Sequence, residues 1–182
     1  LQSTLVGKDL SILAKGLPEG KVIAQEGWVD SKIIPETESY IKGKFDLLLE
    51  RPDKTHLLVD LKISQPHDDK IEKYKTQLNA YKYALENPKE GRAYKITKIG
   101  LLIFYPENVS FKEGEALVHF PPKWLEVPLD QDGFIKFIRE IDKLLAGEVP
   151  SESKTCKWCQ YRHVGETLSH LKEEPAQDEI PF

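Results

Sequence analysis

Two stretches in the first third of the chain have the apolar composition of strands. Residues 40–50 and 56–63 are rich in Phe, Ile, Leu and Val, and Pro52, Asp53 and Lys54 between them favour a turn. Both stretches also carry charged residues among the apolar ones. A charge among aliphatic side chains is costly unless a partner compensates it, so we expect these charged residues to have a functional or structural role.

The spacing of the charged residues predicts that three of them converge. Asp60 and Lys62 are two residues apart, so on an extended chain they point to the same face. Asp46 joins them only if the turn has an odd length. With Asp53 at the centre of the turn it lies across from Asp60, and with the centre one residue later it lies across from Lys62. We therefore predict an odd-length turn or a bulge within residues 51–55.

Two carboxylates and a lysine on one face suit phosphoryl-transfer chemistry. Carboxylate oxygens are ligands that Mg²⁺ prefers, and a bound cation removes the repulsion between two aspartates. The ammonium of Lys62 can orient a water molecule or meet the charge that develops on a phosphate oxygen. The alternative is a structural ion pair between Asp60 and Lys62 beside an ordinary surface aspartate.

The periodicity along the rest of the chain predicts an α/β architecture. A helix follows the second strand: Asp68 and Asp69 cap its start, and Pro88 and Gly91 end it after about Asn87. The apolar stripe expected to pack on the sheet is Ile71, Tyr74, Leu78, Tyr81 and Leu85. The other predicted elements are helices at 8–17 and 134–146, a strand at 21–34, a central strand buried on both faces at 96–105, and shorter strands at 116–120 and 124–129.

Length and composition describe a globular chain. It has 182 residues, of which 40% are hydrophobic and 31% charged, which suits one domain, or one domain with a tail. No apolar run approaches the roughly 20 residues of a membrane-spanning helix, and no signal peptide is visible, so a cytoplasmic location is expected. Because the chain starts with Leu1 rather than Met, an N-terminal part is expected to be missing.

The net charge of −4 is unevenly distributed. Residues 70–98 contain eight cations and three acids, whereas residues 165–182 contain five acids and one lysine. The basic stretch is either a surface that contacts DNA or a solvated helix face.

Four short motifs resemble those of a known superfamily. In chain order they are Gly43-Lys44-Phe45-Asp46, Asp60-Leu61-Lys62, Gln77-Leu78-Asn79-Ala80-Tyr81 and Cys156-Lys157-Trp158-Cys159-Gln160-Tyr161-Arg162. They look like the Gly-x-x-Asp, Asp/Glu-x-Lys, Gln-x-x-x-Tyr and Cys-x-x-Cys-x-Tyr-Arg motifs of the PD-(D/E)XK nuclease superfamily, most closely its RecB-like and CRISPR-associated exonuclease branch.

This resemblance implies a restriction-endonuclease-like α/β fold, with a mixed central sheet flanked by helices. Residues 1–147 would form the nuclease core, 148–170 a Cys-x-x-Cys extension packed on it, and 171–182 an acidic tail. It implies a deoxyribonuclease that uses Mg²⁺ or Mn²⁺ and leaves a 5′-phosphate. The resemblance further implies that DNA is the substrate and that the protein is an exonuclease in repair, recombination or defence.

The resemblance also implies a role for each site residue. Glu26, Asp46, Asp60 and the backbone carbonyl of Leu61 would hold the metal, and Lys62 would position the attacking water. Gln77 and Tyr81 would orient the substrate phosphate or support the site. Glu26 could equally be a solvent-facing strand residue, and Tyr81 a plain core residue.

The cysteines depart from the branch pattern, in which four thiolates hold an iron–sulfur cluster. Only Cys156 and Cys159 are present, which argues against such a cluster in one chain. His163 and His170 could complete a zinc site, although the second spacing is loose for one. The favoured interpretation is a metal-free remnant whose Trp158 and Tyr161 still pack on the core.

The last five residues, Asp178-Glu179-Ile180-Pro181-Phe182, resemble the acidic tip of bacterial single-stranded-DNA-binding proteins. Such a tip docks into basic, apolar-floored pockets of repair and replication enzymes. If Phe182 ends the protein, the tail would recruit such a partner or occupy a basic groove of its own fold; chance similarity is the alternative.

A second hypothesis for the function is a nucleic-acid-binding or adaptor module that works through its tail. The absence of the branch's N-terminal histidine keeps it open, and the retained charges of the site weigh against it.

Overall fold

The computed structural model describes residues 4–67 and 69–171, without the side chains of residues 168–171. Two compact units divide the chain, one up to Lys143 and one from Leu144. The elements in chain order are β1 (Lys21–Asp30), β2 (Lys42–Glu50), β3 (His56–Ile63), α1 (Asp69–Glu86), β4 (Ile96–Phe104), β5 (Asn108–Lys112), β6 (Glu115–His119), β7 (Pro122–Val127), α2 (Gln131–Ala146) and α3 (Lys157–Leu171).

A mixed sheet forms the centre of the first unit, with strand order β1-β2-β3-β4-β7. Only β3 and β4 pair in parallel, and α1 makes the connection between them. The other neighbours are antiparallel, and β5 and β6 form a separate hairpin between β4 and β7. This arrangement confirms the predicted restriction-endonuclease-like α/β fold.

Helix α1 packs on one face of the sheet through the predicted stripe. Leu78 and Leu85 belong to a core cluster with Leu58, Leu101 and Ile103 of the central strands. Strand β4 also presents Leu102 to the opposite core, which confirms that this strand is buried on both faces. Asp68, the predicted capping residue, lies outside the described residues.

The opposite face of the sheet is covered by residues 10–17, but not as a helix. The predicted helix at 8–17 is wrong: these residues form turns, with i to i−3 bonds from Leu13 N to Leu10 O and from Leu17 N to Ala14 O. The backbone before them pairs with β1, since Val22 N donates to Lys8 O. That pairing orders the segment, and its Leu10, Ala14 and Leu17 still enter the core as the pattern required.

Other boundaries also differ from the predictions. Strand β1 ends at Asp30 rather than continuing to Ile34, and β4 ends at Phe104 rather than at Tyr105. The predicted strands at 116–120 and 124–129 each lie one or two residues earlier, as β6 and β7, and they occupy different sheets. Pro122 begins β7, an outer strand of the sheet, where a missing N–H is tolerated.

The turn that sets the register of the charged residues has an odd length. Glu50 pairs with His56, so five residues connect β2 to β3 with Asp53 at their centre. The Asp53 carboxylate accepts bonds from the Thr55 N–H and hydroxyl, and Lys54 adopts a left-handed conformation with φ 65°. The prediction of an odd-length turn is confirmed, with the centre at Asp53.

Candidate active site

Asp46 lies where β2 separates from β3. The pairing of these strands ends at Leu47 and Val59, and beyond that point Asp46 Oδ2 accepts a hydrogen bond from Leu61 N at 2.7 Å. The carboxylate therefore takes the place of a backbone acceptor in the gap between the strands. Since the N–H and C=O of an extended residue point to the same side, the Leu61 carbonyl faces this gap too.

Regular strand alternation breaks at Asp46. Phe45 and Leu48 both pack in the core beneath α1, although side chains three residues apart on a regular strand point to opposite faces. Leu47 belongs to the opposite core. On the neighbouring strand, Glu26 lies between the partners of Phe45 and Leu47 and has a φ of 52°. A left-handed conformation at glutamate is strained, so both strands are distorted at the candidate site.

Asp60 and Lys62 form a largely buried ion pair. Their side chains are 5% and 23% exposed, and Lys62 Nζ lies 2.5 Å from Asp60 Oδ2. Burial raises the pKa of Asp60 and outweighs the opposing influence of Lys62, while the charge of Asp46 adds to the rise. Burial alone would lower the pKa of Lys62, but the contact with Asp60 and the charge of Asp46 raise it. These mutual influences place Asp46, Asp60 and Lys62 in one electrostatic cluster.

Tyr74, predicted only as part of the apolar stripe, is a fourth component of this cluster. Lys62 Nζ lies over its ring, 4.8 Å from the centroid. This distance is within the range of a cation–π contact, which holds the ammonium from the helix side. The signal was present in the spacing: Tyr74 precedes Gln77 by three residues and Tyr81 by seven, so all three lie on one face of α1.

The first and third motifs meet where Gly43 contacts Tyr81. A Cβ on Gly43 would lie 2.8 Å from Tyr81 Cε1, so the ring rests against a bare backbone. Gln77 Nε2 donates to the Tyr81 hydroxyl at 3.3 Å. Tyr81 also packs against the core beneath α1. The glycine of the first motif is therefore required by the tyrosine of the third.

Glu26 is not brought to the carboxylates. Its Oε2 accepts a bond from Lys44 Nζ at 2.6 Å, which lowers the pKa of Glu26, and both side chains are exposed. Within the described residues no group of three or more His, Cys, Asp or Glu side chains is placed to hold a metal ion.

Even so, the donor set fits a hard divalent cation. Asp60 Oδ2 is buried and, among the described residues, has no hydrogen bond; the nearby Lys62 ammonium is its ionic partner. Asp46 repels it, and the Leu61 carbonyl faces the same gap. Oxygen ligands of this kind are those that Mg²⁺ and Mn²⁺ take.

Comparison with family models matches residues 12–164 to the PD-(D/E)XK nuclease superfamily. The chain belongs to this superfamily.

Other comparisons add little. No curated protein matches the chain. Among solved structures, the crystal structure of SSO0001 resembles it at 15% identity with a TM-score of 0.41, covering 78% of this chain. The chain spans 59% of the length of that protein.

The basic stretch at 70–98 is partly neutralised by ion pairs. Lys75 pairs with Asp130 at 2.8 Å, and Lys82, which is buried, pairs with Glu86 at 2.5 Å. Lys98 pairs with Glu126 at 2.7 Å. These three lysines therefore stabilise the fold, and the stretch as a whole is not a continuous free cationic surface.

In the second unit, the cysteines and histidine do not form one cluster. Cys156 Sγ and Cys159 Sγ are 2.8 Å apart and not bonded as a disulfide. His163 instead contacts Glu152 at 2.6 Å and Glu166 at 2.9 Å. The side chain of His170 and the acidic tail lie outside the described residues. Trp158 and Tyr161 are not covered by other residues of this unit, and their packing on the core stays a prediction.

Among the described helices, none has the length and apolarity needed to cross a membrane.

Proposed function

We propose that the protein hydrolyses phosphodiester bonds of DNA in a reaction that depends on Mg²⁺ or Mn²⁺. The observation that carries this proposal is the Asp46 carboxylate, bonded to Leu61 N beside the buried Asp60–Lys62 pair. Water attacks the phosphorus and the bond to the 3′ oxygen breaks, leaving a 5′-phosphate and a 3′-hydroxyl.

The metal ligands would be Asp46, Asp60 and the carbonyl of Leu61. A divalent cation bound there would polarise the phosphate and lower the pKa of a water molecule. It would also offset the repulsion between the two carboxylates, which the burial of Asp60 intensifies. Glu26 could join only by leaving Lys44.

The remaining residues have positioning roles. Lys62, held between Asp60 and the Tyr74 ring, supplies a positive donor for the attacking water or for a phosphate oxygen. Gln77 and Tyr81 lie on the same face of α1, linked by their hydrogen bond, and would orient the substrate phosphate.

The RecB-like branch is the finer assignment that we propose. Its Gln-x-x-x-Tyr motif corresponds to two side chains that touch, and its tyrosine rests on the glycine of the Gly-x-x-Asp motif. The C-terminal Cys-x-x-Cys-x-Tyr-Arg segment begins one residue before α3 and forms its first turns. Membership of this branch favours an exonuclease in repair, recombination or defence, with the acidic tail as a contact for repair partners.

Cleavage assays test the proposal. Purified protein with Mn²⁺ is offered end-labelled linear and circular DNA, single- and double-stranded, and Asp60→Asn and Asp46→Asn are compared with wild type. Both variants should lose activity at least 100-fold, because each removes a ligand of the proposed metal. Asp53→Asn, an exposed carboxylate in the turn, is the matched control and should retain it. Full activity of Asp60→Asn would overturn the proposal.

One observation favours the second candidate, a nucleic-acid-binding or adaptor module with a weak site. Within the described chain, Glu26 is engaged by Lys44 and no third carboxylate approaches Asp46 and Asp60. Calorimetric titration with Mn²⁺ separates the two candidates. Binding that Asp46→Ala abolishes supports the nuclease, and no binding to wild type supports the adaptor.

A further inference from the structure

A groove lies along the outer edge of the first unit, beyond the candidate active site. It consists of two adjoining hollows of about 430 and 510 Å³, which share Asp30 and Lys89. Pockets that bind small molecules commonly have volumes of roughly 300–1,000 Å³. We call it the β1-edge groove, and its defining residues are Trp28, Asp30, Lys32, Tyr40, Lys89 and Arg92.

The floor of this groove is held by the backbone. Beyond the end of β1, Lys89 N donates to Asp30 O at 2.8 Å, and Lys32 N donates to Asn87 O at 2.9 Å. The buried Ser31 hydroxyl donates to Lys32 O and accepts from Ile41 N. Segments before β2 and after α1 are thereby fastened together, so the groove is a built feature rather than a loose loop.

Two aromatic rings stand exposed in the groove, one in each hollow. Trp28 is 74% exposed and Tyr40 is 56% exposed. An indole exposed to this extent gains little from burial in its own fold, whereas it offers a large flat surface to a ligand. The rings therefore suit a partner that presents successive flat groups.

Cations flank these rings. Lys32, Lys89 and Arg92 line the hollows, and among the described residues none of the three forms an ion pair with a carboxylate. The acids Asp30 and Glu90 line the same hollows, so the cations exceed the acids by one. Arg92 lies over the Tyr94 ring at 5.5 Å. By contrast, Lys44 and Lys62 nearer the candidate site are both paired. Aromatic platforms bordered by unpaired cations are the features by which proteins hold single-stranded nucleic acid without sequence preference.

The pairing of β1 with β2 relates the groove to the candidate site. Trp28 pairs with Lys44, two residues from Asp46 on β2. On β1, Trp28 follows Glu26 by two residues, a distance of about 7 Å along a strand. Val29 packs in the core beneath α1 together with Leu58, so Trp28 beside it points to the opposite face of β1. A strand of DNA that reaches both the carboxylates and Trp28 would pass around this outer edge of the sheet.

We infer that the β1-edge groove holds single-stranded DNA, with one base stacked on Trp28 and another on Tyr40. Lys32, Lys89 and Arg92 contact the phosphates. The inference rests on the proposed nuclease function for the identity of the ligand as DNA. The three cations outnumber Asp30 and Glu90, and together with the exposed rings they favour a nucleic acid over a second copy of the chain or an apolar protein partner.

Binding of a fluorescein-labelled 15-mer of thymidine tests this, measured by anisotropy in EDTA so that no cleavage occurs. Trp28→Ala and Tyr40→Ala should each weaken binding at least five-fold, because stacking contributes about 1–3 kcal/mol per base. Trp28→Phe should retain most of the affinity. Phe111→Ala, which removes an exposed ring on the β5–β6 hairpin, is the matched control and should bind like wild type.

A second oligonucleotide with abasic sites at its centre separates stacking from a general loss of fold. Wild type should prefer the thymidine strand, and Trp28→Ala should lose this preference while its thermal melting curve is unchanged. Equal binding of both strands by wild type would overturn the inference. So would a dimer in wild type that becomes a monomer in Trp28→Ala, since the ring would then serve self-association.

Cleavage with Mn²⁺ keeps this inference distinct from the proposed function. If wild type cuts DNA and Trp28→Ala binds the 15-mer normally, the groove proposal fails and the nuclease stands. If wild type binds through Trp28 and Tyr40 but cuts nothing, the nuclease proposal fails and the groove stands.

Discussion

The Tyr81 ring lies against the backbone of Gly43, so close that a Cβ on Gly43 would be 2.8 Å from Tyr81 Cε1. This contact joins the strand that carries Asp46 to the helix that carries Gln77. The two motifs are separated by more than 30 residues in the chain, and the contact explains why one needs a glycine and the other a ring.

Gly43→Ala should disturb both fold and site. The added methyl group must displace Tyr81, and such overpacking costs about 1–3 kcal/mol. Urea unfolding should show this loss, and cleavage should fall because the Gln77–Tyr81 bond is disturbed as well. Gly165→Ala, on a helix with nothing near the new Cβ, is the control and should be neutral or slightly stabilising. If Gly43→Ala were as stable as wild type, the close contact between Gly43 and the Tyr81 ring would be contradicted.

Lys62→Met should destabilise the metal-free protein by about 2 kcal/mol, because Asp60 would lose its ionic partner while remaining buried. Mn²⁺ should restore more stability to this variant than to wild type, since the metal then compensates the carboxylate alone. Urea unfolding in EDTA and in Mn²⁺ measures both effects. The control is Lys54→Met, which removes an exposed partner of Glu50 and should change stability by less than about 0.5 kcal/mol.

Tyr74→Leu should lower the cleavage rate more than Tyr74→Phe does. The phenylalanine ring keeps the cation–π contact with Lys62, which leucine abolishes, and such contacts contribute roughly 0.5–2 kcal/mol. The expected loss is therefore two-fold to thirty-fold in kcat for the leucine variant. Tyr161→Leu, an exposed tyrosine of the second unit, serves as the control. Equal cleavage rates for Tyr74→Leu and Tyr74→Phe would mean that the ring of Tyr74 does not contribute to the site.

Glu26→Gly should be more stable than Glu26→Ala by about 1 kcal/mol. The φ of 52° at this position favours glycine, and both variants lose the Lys44 contact equally. Chemical denaturation of the pair measures the difference. Equal stabilities would mean that the strand relaxes and that the left-handed conformation is not held by its surroundings.

The contacts of His163 predict a pH dependence in α3. Glu152 first and Glu166 second raise the pKa of His163, with Arg162 nearby also bound to Glu152. The folded pKa is above the ordinary value of 6.5, so the stabilisation is fully present below pH 6.5 and is lost as pH rises through the raised pKa. Amide exchange in α3 should therefore be slower in wild type than in His163→Gln at pH 5.5, and equal at pH 9. Glu152→Gln should weaken the pH dependence of amide exchange in α3. If that dependence were unchanged, the pairing of His163 with Glu152 would be excluded.

The sequence by itself determined the order of the central strands and helices. Apolar runs and an amphipathic stripe predicted β2, β3, α1 and β4, because burial of these side chains requires that spacing. It also limited the turn after β2 to an odd length, since only that parity brings Asp46 to the face of Asp60.

The tertiary structure decided what depends on contacts distant in the chain. Residues 8–17 form turns rather than a helix, and the backbone of Lys8 at their start bonds to Val22 of β1, a contact that local periodicity does not encode. The break in alternation at Asp46 and the capture of Glu26 by Lys44 follow from the pairing of two strands. Tyr74 became a partner of Lys62 only when α1 packed across the sheet, since the free energy of a cation–π contact depends on position in space rather than on spacing in the sequence.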